Sequence, residues 1–310
     1  MSDLINPVSF NLWHEEPKQF ADQLGRNHRL TGFCAISDHP IEKELVDSCV
    51  AMFADFFGQS EELKMKYFDG DLGGARGYTP YKVETPKGGQ NADLKEFWQM
   101  GRELPENHPY KKFMSDNLYV SEIPEFKNTI QKLYNVYDLF AQQLMQAIAI
   151  YLDLDQNYFG SAIDNGNSIL RVIHYPPVDS QEVGERSGAH KDINLFTLLI
   201  GGSSPGLEIL VNGQWVPVQI ERDVILCNAQ EMLERFTNNR VPALIHRVTK
   251  GPTKSTDSPR YAIPFFVHPN PDWPISTLPS CIDTDHPDLY PESILTDDFL
   301  QQRLHEIKLL

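Results

Sequence analysis

The stretch SGAHKDINLFTLLIGG, residues Ser187–Gly202, decides how the chain can fold, because a histidine and an aspartate precede an apolar run. In a β-strand, side chains at positions i and i+2 point to the same side. His190 and Asp192 are therefore predicted to present an imidazole and a carboxylate to one point. The plain start of a strand is the alternative interpretation, so the rest of the chain has to decide between them.

The spacing His-x-acid also occurs at His14 and at His286, so the pattern alone identifies no site. Only the copy at His190 has a third candidate ligand in a nearby predicted strand, His246 in ALIHRVT. Two histidines and one carboxylate form the facial triad of non-haem Fe(II) oxygenases, which leaves metal positions open for other ligands. A buried core histidine is the structural alternative for His246.

The composition is that of an ordinary globular protein. Its 310 residues include 41% hydrophobic and 23% charged residues, which is typical of a soluble protein with a full core. The formal net charge of −16 argues against nucleic acid or an anionic membrane as the main partner and favours small molecules. No pattern in the sequence specifies an oligomeric state.

The sequence also predicts a compartment. The N-terminus lacks a basic segment followed by an apolar core, and no later apolar run approaches the length of a membrane span. Four cysteines are scattered without a Cys-x-x-Cys pair, which favours reduced thiols over a disulfide framework. A cytoplasmic protein is expected.

Apolar spacing separates a helical first part from a strand-rich second part. Segments 15–32, 41–68 and 123–154 show helical spacing, with Ser60 as an N-cap inside the second segment. After residue 167, short β-branched and aromatic segments follow one another, and Asn212-Gly213 marks a hairpin. The prediction is mixed α and β, a double-stranded β-helix (jelly roll) with a helical N-terminal region packed against it.

The expected organisation is one structural unit with two parts. Residues 1–160 form the helical N-terminal region with edge strands and a substrate-lid segment, and VSFNL at residues 8–12 is its first predicted strand. Residues 161–310 form the jelly-roll catalytic core, closed by a C-terminal helix.

A positively charged side chain, that of Arg260, is predicted at the end of the site away from the metal. Arg260 begins the strand segment RYAIPFFVHP, and arginine can meet a carboxylate with two parallel hydrogen bonds. The His190 segment, His246 and Arg260 are expected on three strands of one sheet. Such a site suits a metal-bound cosubstrate with a carboxylate tail.

The amino-acid sequence of these segments resembles that of the isopenicillin N synthase-like family of Fe(II)/2-oxoglutarate-dependent dioxygenases. The resemblance spans nearly the whole chain, through GFCAISDHPI, ARGYTPYKVE, DLKEFWQMGRELP, LRVIHYPP, HKDINLFTLL, NGQWVPV and RYAIPFFVHPN. It implies that His190, Asp192 and His246 are the Fe(II) ligands. It further implies that Arg260 holds the distal carboxylate of 2-oxoglutarate, with Tyr175 beside it. The implied reaction uses O2 to oxidise, most often to hydroxylate, a small organic substrate.

Three residues depart from the family pattern. Ala262 replaces the serine of Arg-x-Ser, Ile173 replaces an asparagine common before the tyrosine, and Gln230 stands where glycine is common. The missing serine keeps open a second hypothesis, a non-haem iron oxidase of the same fold that does not use 2-oxoglutarate. A third hypothesis is a jelly-roll binding protein that retains metal without turnover.

Further candidates lie in the Gly-rich segment between residues 69 and 101, which lines the substrate pocket in related enzymes. For Arg76, Tyr78, Lys95 and Phe97, substrate contact and ordinary lid packing are both open. His174, on a predicted strand without an acidic residue two positions later, is interpreted as a supporting residue.

Overall fold

The computed structural model describes residues 6–70, 75–85, 91–179, 182–200, 205–218, 221–251 and 258–306. Most of its helices precede residue 164, as the apolar spacing predicts. The helices within these ranges are α1 (Asn11–Glu15), α2 (Pro17–Thr31), α3 (Lys43–Phe57), α4 (Glu61–Met65), α5 (Phe126–Tyr151), α6 (Gly160–Ile163), α7 (Glu231–Phe236) and α8 (Thr296–Glu306).

The strands described within these ranges form a large sheet, a small sheet and a short two-stranded ribbon. The large sheet has the order β1-β2-β10-β7-β12-β5-β4-β3 and is antiparallel except between β1 and β2, and the small antiparallel sheet has the order β6-β11-β8-β9. The bounds are β1 (Val8–Ser9), β2 (Phe33–Ser37), β3 (Gly77–Thr79), β4 (Glu96–Gly101), β5 (Ile169–Tyr175), β6 (Ser187–His190), β7 (Phe196–Ile200), β8 (Leu207–Val211), β9 (Gln214–Pro217), β10 (Ile225–Ala229), β11 (His246–Val248), β12 (Arg260–Val267), β13 (Pro274–Ile275) and β14 (Ile294–Leu295).

The large sheet separates two hydrophobic clusters. One joins α2, α3 and α5 to the outer face of the large sheet. The other, called the inner cluster below, lies between the two sheets. This is the predicted jelly roll with helices covering one face. The inner cluster consists of Phe33, Phe97, Ile173, Tyr175, Leu207, Ile209, Val218, Leu226, Val248 and Ala262.

Helix α5 holds the large sheet in place. Its buried residues recur at the spacing of one helical face, for example Ile130, Leu133, Tyr137 and Leu144. The Tyr137 hydroxyl donates a hydrogen bond of 2.9 Å to the carbonyl of Ile263, so the helix is fixed to β12 at the middle of the sheet. The strand that begins at Arg260 is therefore anchored from outside.

The structure confirms the predicted helix cap, helix end and hairpin turn. The Ser60 hydroxyl accepts a hydrogen bond from the Leu63 N–H and caps α4, and Gly32 ends α2 with φ of 65°. Asn212 and Gly213 have φ of 49° and 77°, as a tight hairpin between β8 and β9 requires.

The strand predicted at residues 8–12 is wrong in its second half. Strand β1 ends at Ser9, and α1 begins at Asn11. Phe10 and Trp13 are both buried, and three-residue spacing places them on one face of a helical turn, which overrides the alternating pattern.

The division of the chain at residue 160 stays a prediction. The predicted closing helix is α8, which extends to Glu306, and residues 307–310 of that prediction lie outside the described residues.

The close contact between α2 and the end of α5 generates a stability prediction. A Cβ on Gly25 would lie 2.1 Å from the ring of Tyr151. Gly25→Ala should therefore lower the free energy of unfolding by about 1–3 kcal/mol through overpacking, although alanine favours helix. Gly160→Ala is the control, because nothing lies within 4 Å of its new Cβ. Equal unfolding curves for both variants in urea would contradict the prediction.

Candidate metal centre

His190, Asp192 and His246 converge between the sheets. Strands β6 and β11 pair in a register that sets His190 opposite His246, with ring centroids 4.4 Å apart. The Asp192 Oδ1 lies 3.4 Å from the His190 Nε2 and 3.8 Å from the His246 Nε2. One potential ligand atom from each residue lies within 4.8 Å of the others.

The prediction that Asp192 lies in a strand is wrong, although its side chain reaches the predicted point. Strand β6 ends at His190. The Asp192 N–H donates to the Gln230 Oε1 at 3.1 Å, so a side chain takes the place of a strand partner. The carboxylate is thus aimed by a turn after the strand and not by strand alternation.

Hydrogen bonds fix which nitrogen each histidine presents. The His190 Nδ1 lies 2.7 Å from the carbonyl of Gly188, and the His246 Nδ1 lies 3.4 Å from the carbonyl of Leu244. Because a carbonyl can only accept, each Nδ1 carries a hydrogen, so in the neutral imidazole the Nε2 keeps the lone pair. This arrangement is typical of metal-binding histidines.

Two donors hold the other oxygen of Asp192. The Thr197 hydroxyl donates to the Oδ2 at 2.7 Å, and the Gln230 Nε2 donates to it at 3.0 Å. Gln230 therefore contacts both the backbone and the side chain of Asp192. From the sequence, Gln230 was recognised only as a departure from the family pattern. No sequence feature predicted a role for Thr197.

The charges of the three groups suit a cation. Burial alone would raise the pKa of Asp192, but His246 and His190 hold it well below its ordinary value. Burial lowers the pKa of His246 to about 4, with a further contribution from His190. Burial also acts to lower the pKa of His190, yet Asp192 raises it overall. The carboxylate is ionised and His246 is neutral at neutral pH.

The other two His-x-acid copies form no such cluster within the described residues. The exposed His286 contacts Asp283 through its Nδ1 at 2.8 Å. Asp288 instead accepts hydrogen bonds from the Thr277 hydroxyl and from the Tyr290 N–H. His14 is exposed and lies in the last turn of α1.

Arg260 does not share a sheet with the two histidines, so that prediction is wrong. Strand β12 lies in the large sheet, whereas β6 and β11 lie in the small one. Alternation in a strand shows which residues share a face, but not which strands pair. Arg260 is 2% exposed and stands opposite Tyr175, with its guanidinium carbon 5.0 Å from the tyrosine ring centroid.

Two departures from the family pattern are neighbours. Ala262 pairs with Ile173 across β12 and β5, two residues along from the pair of Arg260 and Tyr175. Both side chains are buried in the inner cluster. The missing serine and the missing asparagine therefore leave one continuous apolar patch beside the arginine.

A second arginine near Arg260 was missed from the sequence. Arg186 directly precedes β6 and has no exposed surface. Burial and the nearby charge of Arg260 lower the pKa of Arg186, while Tyr175 acts to raise it. No motif in the sequence singles this residue out.

The candidates from the Gly-rich segment separate into two that lie away from the inner cluster and two that lie in it or next to β6. Tyr78 packs in the hydrophobic cluster between the helices and the outer face of the large sheet, and its hydroxyl donates to Glu96 at 2.6 Å. Buried Arg76 donates to Asn167 at 3.1 Å. Phe97 belongs to the inner cluster, and buried Lys95 contacts Ser187 of β6 at 3.2 Å.

His174 has the supporting place expected of it. Its Nδ1 lies 2.7 Å from the Glu96 Oε1, and its ring stacks on Phe57 and Tyr261. These contacts turn the ring away from the inner cluster, because neighbouring Ile173 and Tyr175 belong to that cluster.

Comparison with known proteins places the chain in a family. Residues 5–122 match the model of the non-haem dioxygenase N-terminal region from morphine synthesis, and residues 166–269 match the 2OG-Fe(II) oxygenase superfamily. The chain belongs to the 2-oxoglutarate/Fe(II)-dependent oxygenase superfamily. The 2-oxoglutarate-Fe(II) type oxidoreductase hxnY of Emericella nidulans is 30% identical over 293 residues, which cover 90% of this chain and 82% of that protein.

Solved structures of this superfamily share the fold. A 2OG-Fe(II) oxygenase family protein from Caulobacter crescentus is 44% identical, with a TM-score of 0.92 over 99% of this chain and 100% of that one. A full-length Neurospora crassa protein in complex with alpha-KG and thymine is 26% identical, with a TM-score of 0.85 over 97% of this chain and 96% of that one. The chain is an Fe(II)- and 2-oxoglutarate-dependent oxygenase of small molecules.

None of the helices in the described ranges is both long enough and apolar enough to cross a bilayer.

Proposed function

We propose that this oxygenase hydroxylates a small organic molecule, with His190, Asp192 and His246 as the iron ligands. The observation that carries the assignment is the convergence of two Nε2 atoms and one carboxylate oxygen within 4.8 Å. Two imidazoles and a carboxylate without thiolate suit Fe(II), and three protein ligands leave coordination positions open. Bound Fe(II) supplies the site at which O2 is activated and 2-oxoglutarate is decarboxylated to succinate.

Arg260 and Tyr175 are proposed to bind the distal carboxylate of 2-oxoglutarate. Arg260 lies on the sheet that faces the triad, so a cosubstrate extended between the sheets can contact both. A buried guanidinium can hold a carboxylate with two charge-assisted hydrogen bonds. The Tyr175 ring beside it restricts the directions from which the carboxylate can approach.

The remaining residues orient the ligands and exclude water. Thr197 and Gln230 occupy the Asp192 Oδ2, which leaves the Oδ1 for the metal. The inner cluster presents aliphatic and aromatic surface between the sheets. A dry pocket strengthens charge interactions within it and protects reactive species from side reactions.

We also infer a cytoplasmic location for the enzyme. Cys34, Cys49, Cys227 and Cys281 are all buried thiols outside any disulfide. This supports the expectation from the sequence, because disulfides are rare in the reducing cytosol.

Succinate release tests the proposed reaction against its alternatives. The reconstituted enzyme with Fe(II), 2-oxoglutarate, O2 and a panel of small metabolites should release succinate with at least one panel member and yield a hydroxylated product. Oxygen uptake without succinate would favour the iron oxidase, for which the apolar pair Ile173 and Ala262 is the supporting observation. A protein that retains metal but shows neither succinate release nor oxygen uptake would favour the third hypothesis, a jelly-roll binding protein without turnover.

A pair of aspartate variants tests the iron ligands. Asp192→Ala should abolish high-affinity Fe(II) binding, because it removes the anionic ligand of the triad. Asp288 belongs to another His-x-acid copy, and its carboxylate accepts hydrogen bonds from Thr277 and Tyr290. Asp288→Ala should therefore leave Fe(II) binding unchanged. Anaerobic metal titration of stripped protein measures both. Equal losses of affinity would refute the assignment.

Variants of β12 test the cosubstrate site. Arg260→Ala should weaken 2-oxoglutarate binding by about tenfold to a hundredfold, because a charge-assisted contact of about 1.5–3 kcal/mol is lost. Ala262→Ser should tighten binding by a few-fold up to about tenfold, since a hydroxyl adds about 0.5–1.5 kcal/mol.

Arg247→Ala is the control for the arginine. Arg247 also lies in a strand and pairs with Glu208, but it stacks on Trp215 and lies outside the inner cluster. Calorimetric titration with 2-oxoglutarate measures all three variants. Unchanged affinity in Arg260→Ala would exclude Arg260 as the anchor.

A further inference from the structure

A buried charge network lies next to the strand that carries His190. The Lys95 Nζ lies 2.8 Å from the Asp93 Oδ2 and 2.5 Å from the Glu84 Oε2. Asp93 and Lys95 are only 4% and 5% exposed. Burial of such charges is costly unless they are paired, so these contacts constrain one another.

The electrostatics indicate that Glu84 and Lys95 are ionised. Burial acts to raise the pKa of Glu84, but Lys95 and Arg171 hold it down at about 2. Burial acts to lower the pKa of Lys95, but Glu84 and Asp93 raise it above its ordinary value. The lysine therefore stays charged and holds the Asp93 carboxylate in place.

The network covers the open edge of β6. Among the described strands, β6 lies at the edge of the small sheet. Its pairing with β11 is irregular between His190 and Ser187, and the N–H of Gly188 donates to the Asp93 Oδ1 at 2.8 Å. The Leu94 N–H donates to the carbonyl of Glu185 at 3.0 Å. Residues 93–94 therefore hold the start of β6 through one backbone bond just before the strand and one side-chain bond within it.

Gly188 connects this edge to the metal centre. Its N–H binds Asp93, and its carbonyl accepts the hydrogen bond from the His190 Nδ1 at 2.7 Å. The direction of that carbonyl sets the tautomer and the ring plane of His190. Rotation of Gly188 would turn the His190 Nε2 away from the other two candidate ligands.

We propose that Asp93, held by Lys95, is a positioning residue that fixes Gly188 and thereby aims His190 at the metal. This inference rests on the proposed role of His190 as an iron ligand. Asp93 itself is not one of the three candidate ligands. Its contribution is preorganisation, so its loss should lower metal affinity in addition to any loss of fold stability.

The test compares Asp93→Ala and Asp93→Asn with Asp138→Ala in the full chain. Asp138 forms a partly buried ion pair of 2.6 Å with Arg102 and is the matched control, since it contacts no residue of β6. Stripped protein is titrated anaerobically with Fe(II), the visible absorption band of the Fe(II) complex with 2-oxoglutarate is recorded, and unfolding is followed in EDTA.

Asp93→Ala should weaken Fe(II) binding by about tenfold to a hundredfold and shift the visible band. Asp93→Asn should lose less affinity, because an amide oxygen can still accept from Gly188 while the attraction to Lys95 is weakened. Asp138→Ala should lose stability and keep its Fe(II) affinity. If Asp93→Ala does not fold, Asp93→Asn and Lys95→Met carry the same test.

His190→Ala separates this inference from the proposed ligand set. Loss of Fe(II) binding in His190→Ala, together with unchanged affinity in the Asp93 variants, would overturn only the positioning role. Unchanged Fe(II) affinity in His190→Ala would overturn the ligand assignment itself. An Asp93→Ala variant that loses stability like Asp138→Ala, with affinity within about twofold of the wild type, also rejects the inference.

Discussion

The register between β6 and β11 is the constraint on which the site depends. It sets two imidazoles side by side on the inner face of the small sheet, where directly opposed side chains are closest. A shift of one residue would turn one histidine to the outer face. The turn after His190 then needs only to bring one carboxylate back between the rings, and Gln230 and Thr197 hold it there.

The second requirement is a fixed distance between two facing sheets. The histidines lie on the small sheet and Arg260 on the large one, so the packing of the inner cluster sets the span of the proposed cosubstrate site. Facing sheets pack about 10 Å apart, which suits a short dicarboxylate held at both ends. Helix α5 contributes from outside, because Tyr137 fixes β12 at Ile263.

Local features of this fold could be predicted from the sequence, because each depends on neighbouring residues. The helical stripe of α5, the Ser60 cap and the Asn212-Gly213 hairpin are examples. The assignment of strands to two sheets could not be predicted, since alternation does not identify strand partners. The candidate ligands were recognisable as residue types, whereas the support from Gln230 depends on contacts 38 positions apart in the chain.

The apolar pair of Ile173 and Ala262 has a consequence for the enzyme without its cosubstrate. A hydroxyl and an amide at these positions would need hydrogen-bond partners whether or not 2-oxoglutarate is bound. An unsatisfied buried polar group costs about 1–3 kcal/mol. The aliphatic pair avoids that cost, since both side chains pack in the inner cluster. The stability of this oxygenase is therefore less dependent on the cellular supply of 2-oxoglutarate than a polar pair would make it.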